Sequence, residues 1–191
     1  MSKVNTEEEI KIFEKLMDSL DEPRKTQVNK LINEIGDRYF TSPASYRIGL
    51  HDCNPGGLLH HSLSVTKNLN MICDLWAPEI SKETRLICGL FHDLGKIGTL
   101  SGELLYQPAK EKWKIDKGQL YDYNKTIADG LTHAQRSVRI LTHFGIILTD
   151  AEYLSILRHD GMYNDENKVH KESRIKLMFL LHTADYYTYI E

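Results

Sequence analysis

The chain has 191 residues, of which 41% are hydrophobic, and 24 Lys and Arg against 27 Asp and Glu give it a formal net charge of -3. This length is enough to bury one good core and too short for two full domains of ordinary size, so we expect a single domain over residues 1–191. The near balance of charge excludes a global positive field that would hold a long polyanion such as duplex DNA.

The first two predicted helices span residues 1–40 and form a scaffold without site chemistry. Thr6-Glu7-Glu8-Glu9 is typical of a capping box, and apolar residues follow it at helical spacing over residues 10–20. Asp21-Glu22-Pro23 then ends this helix and begins the second, because proline is tolerated in a first turn. The second apolar stripe runs over residues 28–39.

The third predicted helix follows a loop at residues 41–57 that is rich in Pro, Gly and Asn. It opens with two histidines, and such a pair at a helix start is usually solvated. His61, however, shares a broad side of the helix with Leu58 and Val65, so it is predicted to point inward. His60 is expected to be a neighbour of the site rather than a ligand.

The fourth predicted helix carries the first chemical signal. Ser81 is its expected N-cap, and its expected end lies near Gly98. Within it His92 and Asp93 are adjacent and Lys96 follows three residues later, so the three side chains can reach one point. A histidine beside a carboxylate suits a divalent cation, and a nearby ammonium group suits an anion on that cation. A single His-Asp pair is more often an ordinary ion pair of a core helix, so this interpretation depends on the rest of the chain.

Residues 99–130 form a polar and aromatic insertion in an otherwise helical chain. The segment 114–120 predicts two short strands with a turn at Gly118, which is a small β-hairpin. Loops of this length tend to be functional, so the insertion either covers a pocket or decorates the fold.

The remaining helices bring three more candidate ligands. A capping box at residues 132–135 places His133 in the first turn of one helix, and a second box at residues 149–152 begins the helix that leads to His159. The last helix begins near Ser173 and is apolar nearly all round, so it is expected to be central and buried. An aspartate in such a helix, Asp185, is costly unless it meets a cation.

The inward ligand types fall in the order H…HD…D, as His61, His92 with Asp93, and Asp185. In this ordered set the chain resembles the HD-domain superfamily of metal-dependent phosphohydrolases, over roughly residues 55–190. The resemblance implies an all-α fold, a helical bundle to which the β-hairpin insertion is added. It also implies that these four residues are the defining metal ligands.

Two groups within the superfamily are closer. Residues 56–65 together with His92-Asp93-Leu94-Gly95-Lys96 are similar to the HD domains of bacterial 3'-to-5' exoribonucleases, and the later part is similar to small stand-alone HD hydrolases of bacteria and phages. Relatives with two extra histidines before the last aspartate often hold two metals, which implies a second ion on His133 and His159. Where several relatives have two consecutive histidines, this chain has His159-Asp160, so the second site is expected to differ in affinity or metal. Direct phosphate binding and general-acid work remain alternative roles for these two histidines.

The donor set predicts one or two divalent ions. Imidazoles and carboxylates without thiolate favour Mn2+ or Fe2+, with Zn2+, Mg2+, Co2+ and Ni2+ possible. Asp93 is the expected bridge between two metals, a metal-activated water is the expected nucleophile, and Lys96 is expected to stabilise charge on the phosphoryl oxygens.

Three functions follow from this chemistry. The leading one is hydrolysis of a phosphate ester in a small nucleotide: a nucleoside or deoxynucleoside triphosphate, a monophosphate, or a cyclic nucleotide. The second is a 3'-5' exonuclease or phosphodiesterase on short single-stranded RNA or DNA, with Trp113, Tyr121 and Tyr123 as stacking candidates. The third is a non-catalytic nucleotide-binding module, against which the complete ligand set argues.

The cysteines and the absence of long apolar segments predict the compartment of the protein and its relation to membranes. Cys53, Cys73 and Cys88 are an odd number without a CxxC pair, which is typical of reduced thiols in a cytoplasm. The first five residues contain no apolar signal core, and no apolar run reaches the length that spans a bilayer. We therefore expect a cytoplasmic protein without a membrane partner, and the sequence leaves its oligomeric state open.

Overall fold

The computed structural model describes residues 6–50, 52–161, 167 and 175–188. Within these residues the chain folds into α-helices, one short 3-10 helix and a small two-stranded antiparallel sheet, which confirms the all-α prediction with a β-hairpin addition. In chain order the elements are α1 (Thr6–Met17), α2 (Arg24–Thr41), α3 (Gly57–Trp76), α4 (Lys82–Phe91), the 3-10 helix (Leu94–Ile97), β1 (Tyr106–Pro108), α5 (Lys112–Asp116), β2 (Tyr121–Tyr123), α6 (His133–His143), α7 (Asp150–Leu157) and α8 (Lys176–Tyr187).

The predicted apolar stripes of α1 and α2 form one side of the core. Phe13 of α1 contacts Tyr39 of α2 and Phe91 of α4, with ring centroids 5.7 and 6.1 Å apart. Tyr39 is fully buried, and its hydroxyl donates to the backbone oxygen of Leu90, so the buried polar atom has a partner. These two helices therefore support the C-terminal end of α4, where the candidate ligands begin.

Helix α3 lies against α4 and α8 in the centre of the bundle. Close approach of α3 and α4 depends on Gly89, because a Cβ added there would lie 2.8 Å from the Cα of Thr66. A side chain at this position would therefore push the two helices apart. This contact sets the spacing between the helix of His61 and the end of the helix that leads to His92.

Helix α4 ends earlier than predicted. Ser81 caps it as expected, through a hydrogen bond from the Thr84 N–H, but the α-helix stops at Phe91 and not near Gly98. The physical reason is Ser137 of α6, whose hydroxyl accepts from the Gly95 N–H (2.7 Å) and donates to the His92 backbone oxygen (2.7 Å), so the regular helical bonds are replaced. His92 and Asp93 consequently lie at the junction between α4 and the 3-10 helix.

The β-hairpin exists, but the strands are not the predicted ones. Strand β1 pairs with β2 so that Tyr106 faces Tyr123, whereas the predicted hairpin segment 114–120 starts inside helix α5. A short segment with few apolar residues does not separate a strand period from a helix period. The Lys114 ammonium contacts Glu111 one turn earlier, at 2.9 Å, which supports the helix.

Both capping boxes in the C-terminal half are confirmed. The Thr132 hydroxyl accepts from the Gln135 N–H and the Thr149 hydroxyl accepts from the Glu152 N–H, with the reciprocal bonds also present. The predicted start of the last helix near Ser173 lies outside the described residues. Helix α8 packs against α3 and α7, but it is not buried all round, because Phe179 and Tyr186 are nearly half exposed.

The length and apolar character of the helices bear on whether any of them could cross a membrane. In the part of the chain that the structure describes, none of them combines the length and the apolar character that crossing a bilayer requires. The longest run of helix, α3, carries two histidines and polar residues along its length.

Candidate metal centre

Four predicted ligands converge in the interior of the bundle. His61 comes from α3, His92 and Asp93 from the junction after α4, and Asp185 from α8, and all four residues are buried. The Nε2 atom of His61 lies 3.1 Å from Asp185 Oδ1, 3.3 Å from Asp93 Oδ2 and 3.3 Å from His92 Nε2. We call His61, His92, Asp185 and the Oδ2 atom of Asp93 the inner half-site.

The proton position on His92 is fixed by its backbone contact. Its Nδ1 atom lies 2.9 Å from the backbone oxygen of Gly89, and because a carbonyl only accepts, Nδ1 carries the proton. Nε2 then presents a lone pair to the half-site. Burial lowers the pKa of His92 to about 4, so the imidazole is neutral near pH 7 and ready to bind a cation.

A second group of ligands meets the other oxygen of Asp93. His133 Nε2 and His159 Nε2 lie 3.3 and 3.2 Å from Asp93 Oδ1, and 3.2 Å from each other. We call His133, His159 and the Oδ1 atom of Asp93 the outer half-site. Asp93 therefore faces a different pair of imidazoles with each of its two carboxylate oxygens, which is the arrangement of a bridging ligand.

The outer histidines are positioned by helix ends. The capping box of α6 places His133 in the first turn of that helix. This turn lies close against Gly95 of the 3-10 helix, because a Cβ added at Gly95 would be only 2.0 Å from the His133 backbone oxygen. His159 follows α7, and its Nδ1 atom lies 2.8 Å from the Ile156 backbone oxygen, which leaves Nε2 to face Asp93. His182 of α8 donates from Nδ1 to the His159 backbone oxygen at 2.7 Å.

Lys96 pairs with the inner oxygen of Asp93. The two side chains are buried, and Lys96 Nζ lies 2.5 Å from Asp93 Oδ2. Burial alone would raise the pKa of Asp93, but the charge of Lys96 and the surrounding imidazoles hold it well below its usual value. Burial would likewise lower the pKa of Lys96, and the charge of Asp93 raises it instead. Both groups are therefore charged at neutral pH.

The donor atoms fit a cation. Asp93 Oδ1 and Asp185 Oδ1 are buried and have no hydrogen-bond partner among the described residues. Buried carboxylate oxygens are normally paired, and here they face the Nε2 edges of imidazoles. Burial disfavours a charged imidazolium, yet Asp160 and Asp93 raise the pKa of His159 to about 10, so these carboxylates draw positive charge to this point. The candidate ligand atoms form three overlapping groups, and within each group the atoms lie within 4.8 Å of one another. The groups are His61, His92 and Asp93; His92, His159 and Asp185; and Asp93, His133 and His159.

Asp160 is the acidic residue that sequence reasoning did not place in the site. Its Oδ1 atom lies 3.5 Å from His133 Nε2 and 3.6 Å from His159 Nε2. Burial alone would raise the pKa of Asp160, but the two histidines lower it to about 2, so this carboxyl is ionised beside them. The signal that the sequence offers for this residue is its position directly after His159.

The remaining candidates lie outside the ligand cluster. His60 contacts Glu9 of α1 through Nδ1 at 2.5 Å and is half-exposed. Tyr123 packs against the ring of Tyr46, with centroids 5.4 Å apart. Trp113 is largely exposed on α5, and the structure places both aromatic residues in the insertion and not among the ligands.

One comparison with known protein families gives a match. The family model described as HD domain matches residues 58–189, a stretch that includes every candidate ligand from His61 to Asp185. No curated protein and no solved structure matches the sequence.

Proposed function

Because the chain belongs to the HD domain family, we propose that it is a metal-dependent phosphohydrolase that cleaves a phosphate ester of a small nucleotide. The observation that carries the proposal is the position of Asp93, whose two buried oxygens each face a pair of imidazole Nε2 atoms. A carboxylate in such a position can join two cations into one site.

The two half-sites would hold the ions through nitrogen and oxygen donors. His61, His92, Asp185 and Asp93 would bind one ion, and His133, His159 and Asp93 would bind the other. Mixed imidazole and carboxylate ligands without thiolate favour Mn2+ or Fe2+ and leave Zn2+, Mg2+, Co2+ and Ni2+ possible. When bound, such ions lower the pKa of a water molecule and polarise a phosphoryl oxygen.

The protein side chains supply the remaining chemistry. The residues of the inner half-site are buried, and charge interactions are stronger in such surroundings than in water. The Lys96 ammonium beside Asp93 offers positive charge to the phosphoryl oxygens, where negative charge grows during ester cleavage. His133 is partly exposed, and its alternative role, if the outer half-site holds no ion, is to protonate the leaving oxygen.

The net charge of the chain favours a small substrate over a long one. A formal charge of -3 provides no general attraction for a long polyanion, which favours a small nucleotide over RNA or DNA of any length. One observation favours the alternative, a 3'-5' exonuclease or phosphodiesterase on short single strands. The exposed ring of Trp113 has the ammonium groups of Lys114 and Lys117 at 5.8 and 5.6 Å, a combination of stacking surface and positive charge that suits single-stranded nucleic acid.

A substrate panel tests the proposal. Protein loaded with Mn2+ or Fe2+ is incubated with nucleoside and deoxynucleoside tri- and monophosphates, cyclic nucleotides, and short labelled RNA and DNA strands. Release of phosphate, pyrophosphate and nucleoside is followed, together with shortening of the strands. We expect turnover of a small nucleotide that chelator abolishes and added metal restores. Cleavage of strands alone would favour the nuclease, and nucleotide binding without any turnover would favour a non-catalytic module.

A further inference from the structure

The outer half-site differs from the inner one in that one of its ligands, His133, comes from α6. Asp93, which serves both half-sites, lies in the turn between α4 and the 3-10 helix. The distance from Asp93 Oδ1 to His133 Nε2, 3.3 Å, therefore depends on how closely α6 is held against this turn. Ligands that come from two elements keep their geometry only if another contact joins these elements.

A single hydroxyl group, that of Ser137 in α6, makes such a contact. It accepts from the Gly95 N–H and donates to the His92 backbone oxygen, both at 2.7 Å, so it binds the backbone on each side of Asp93. The His133 backbone oxygen, one turn earlier in α6, lies farther away, at 3.1 Å. Because a hydroxyl has one hydrogen to donate, the shorter contact with His92 takes it. Ser137 is fully buried, so bulk water does not compete for these bonds.

The turn that Ser137 holds also determines the direction of the Asp93 carboxylate. The Lys96 N–H donates to the Asp93 backbone oxygen at 2.9 Å, and in such 3-10 geometry side chains three residues apart lie above one another. The Lys96 ammonium accordingly lies beside Asp93 Oδ2, which leaves Oδ1 to face His133. Helix α6 comes so close to the turn that a Cβ on Gly95 would lie 2.0 Å from the His133 backbone oxygen.

The end of α4 is held by other bonds as well. The His92 ring donates from Nδ1 to the Gly89 backbone oxygen at 2.9 Å, and the Tyr39 hydroxyl donates to the Leu90 backbone oxygen. Both bonds are independent of α6. Loss of the Ser137 hydroxyl should therefore loosen the turn on the side of α6 and leave the inner ligands near their places.

We propose that Ser137 is a positioning residue of the metal centre, which holds the Asp93 turn against α6 so that Asp93 Oδ1 and His133 can bind one ion. The inference rests on the proposed function, because it needs the outer half-site to hold an ion. Ser137 is not a ligand, and it acts through the backbone on either side of Asp93. Its hydroxyl thereby sets the affinity of the outer ion separately from that of the inner ion.

The test measures the affinities of the two ions, which does not require activity. Metal-free full-length protein is titrated with Mn2+ by calorimetry, and the ions retained after dialysis are counted by elemental analysis. His133→Ala, which lacks an outer ligand, identifies the binding event that belongs to the outer half-site. For Ser137→Ala we expect the outer ion to bind about 10-fold more weakly and the inner ion to bind as in wild type.

Ser155→Ala is the matched control. Ser155 is as fully buried as Ser137, and its hydroxyl donates within α7, to the Ala151 backbone oxygen at 2.6 Å. Both substitutions remove one buried hydroxyl, so a general loss of stability would act in both variants, and we expect wild-type affinities for Ser155→Ala. Ser137→Cys keeps a weaker hydrogen-bonding group, so it should weaken the outer ion less than Ser137→Ala does, and it replaces that variant if alanine prevents folding.

Equal weakening of both ions in the Ser137 variants, or no weakening, would overturn the positioning role, and so would the same loss in Ser155→Ala. A wild-type protein that turns over nucleotides with a single ion would also overturn it and leave the proposed function standing. Selective weakening of the outer ion in a protein that hydrolyses no nucleotide would support the role of Ser137 and overturn the proposed function. A wild-type protein that binds no metal would overturn both.

Discussion

The inner and outer half-sites share Asp93 but are built from different parts of the fold. The inner ligands come from helices in the packed centre of the bundle, and their side chains are at most 11% exposed. The outer ligand His133 has a side chain that is 24% exposed, and Asp160 beside it is 33% exposed. The outer half-site therefore reaches the rim of the bundle through His133, whereas its other histidine, His159, is only 1% exposed.

The two ions should differ in how tightly they are bound. His92 and His159 are held alike, each by one hydrogen bond from Nδ1 to a backbone oxygen, and His61 is buried within α3. His133 differs from these three because it lies in the first turn of α6 and is partly exposed, so it is the least constrained imidazole. We expect a tightly bound inner ion and a more weakly bound outer ion that is closer to the substrate.

Removal of the Asp93 carboxylate should abolish the difference in affinity between the inner and the outer ion, because both half-sites use it. Asp93→Ala deprives both half-sites of a ligand, so we expect loss of both ions in elemental analysis and a fall in turnover on the order of 10³-fold or more, since no activated water remains. Circular dichroism should show that the helices are retained. An Asp93→Ala protein that still bound two ions would contradict the bridging role and remove the basis for comparing the half-sites.

A second substitution separates charge stabilisation from metal binding. Lys96→Ala should retain both ions, because lysine is not a ligand, yet lower turnover by about 10²-fold, by analogy with the loss of a preorganised charge-stabilising donor. If Lys96 serves only as the buried ion-pair partner of Asp93, its loss should lower the stability of the metal-free protein and leave turnover unchanged. Lys67→Ala, at an exposed position on α3, serves as the control and should behave as wild type.

A third substitution acts on the outer half-site alone. His182→Ala removes the hydrogen bond to the His159 backbone oxygen and replaces no proposed ligand, so we expect the outer ion to bind about 10-fold more weakly and the inner ion to be unaffected. His143→Ala, an exposed histidine at the end of α6, is the control. Equal weakening of both ions would show that the half-sites are not independent, and titration calorimetry with Mn2+ measures the two affinities.

The ligand order was readable from the sequence because it depends on residue types and helical periodicity. His61 was predicted to face inward from its spacing to Leu58 and Val65, and the structure places it there. The buried position of Asp185 likewise agrees with an apolar helix. Local patterns carried this information, since the face of a helix is determined within a few turns.

The features that sequence reasoning missed depend on contacts between distant segments. The early end of α4 follows from Ser137, which lies 42 residues after Gly95 and replaces the regular helical hydrogen bonds. The approach of Asp160 to His133 depends on how α6 and α7 pack, which no local pattern contains. The hairpin was predicted in the wrong segment because its strands, β1 and β2, are separated by the short helix α5.

The smallest expected effect on the site concerns an ion pair that anchors α7, the helix that leads to the outer half-site. Glu152 is fully buried and contacts Arg24 of α2 through both oxygens, at 2.8 and 2.7 Å, while Thr84 of α4 donates to it at 2.9 Å. Arg24 also contacts Glu83 at 3.4 Å, so it keeps a charged partner when Glu152 is neutralised. Glu152→Gln should therefore lower the free energy of unfolding at pH 7 by about 1–3 kcal/mol and leave both ions bound.

The pH dependence of this effect has a definite sign. Burial would raise the pKa of Glu152, but the hydrogen bonds from Arg24 and from the Thr149 N–H leave it below the usual value of 4.5. A carboxyl whose pKa is depressed in the folded state contributes stability that is complete above its unfolded pKa and is lost as the pH falls through its folded pKa. The difference in unfolding free energy between wild type and Glu152→Gln should thus be largest near pH 7 and shrink below about pH 4.5. Urea unfolding of the metal-free proteins measures it, because titration of the site residues is common to both and cancels. A difference that stayed constant or grew in acid would show that the contribution of Glu152 does not come from its charge, and that the anchor of the outer half-site is one of packing alone.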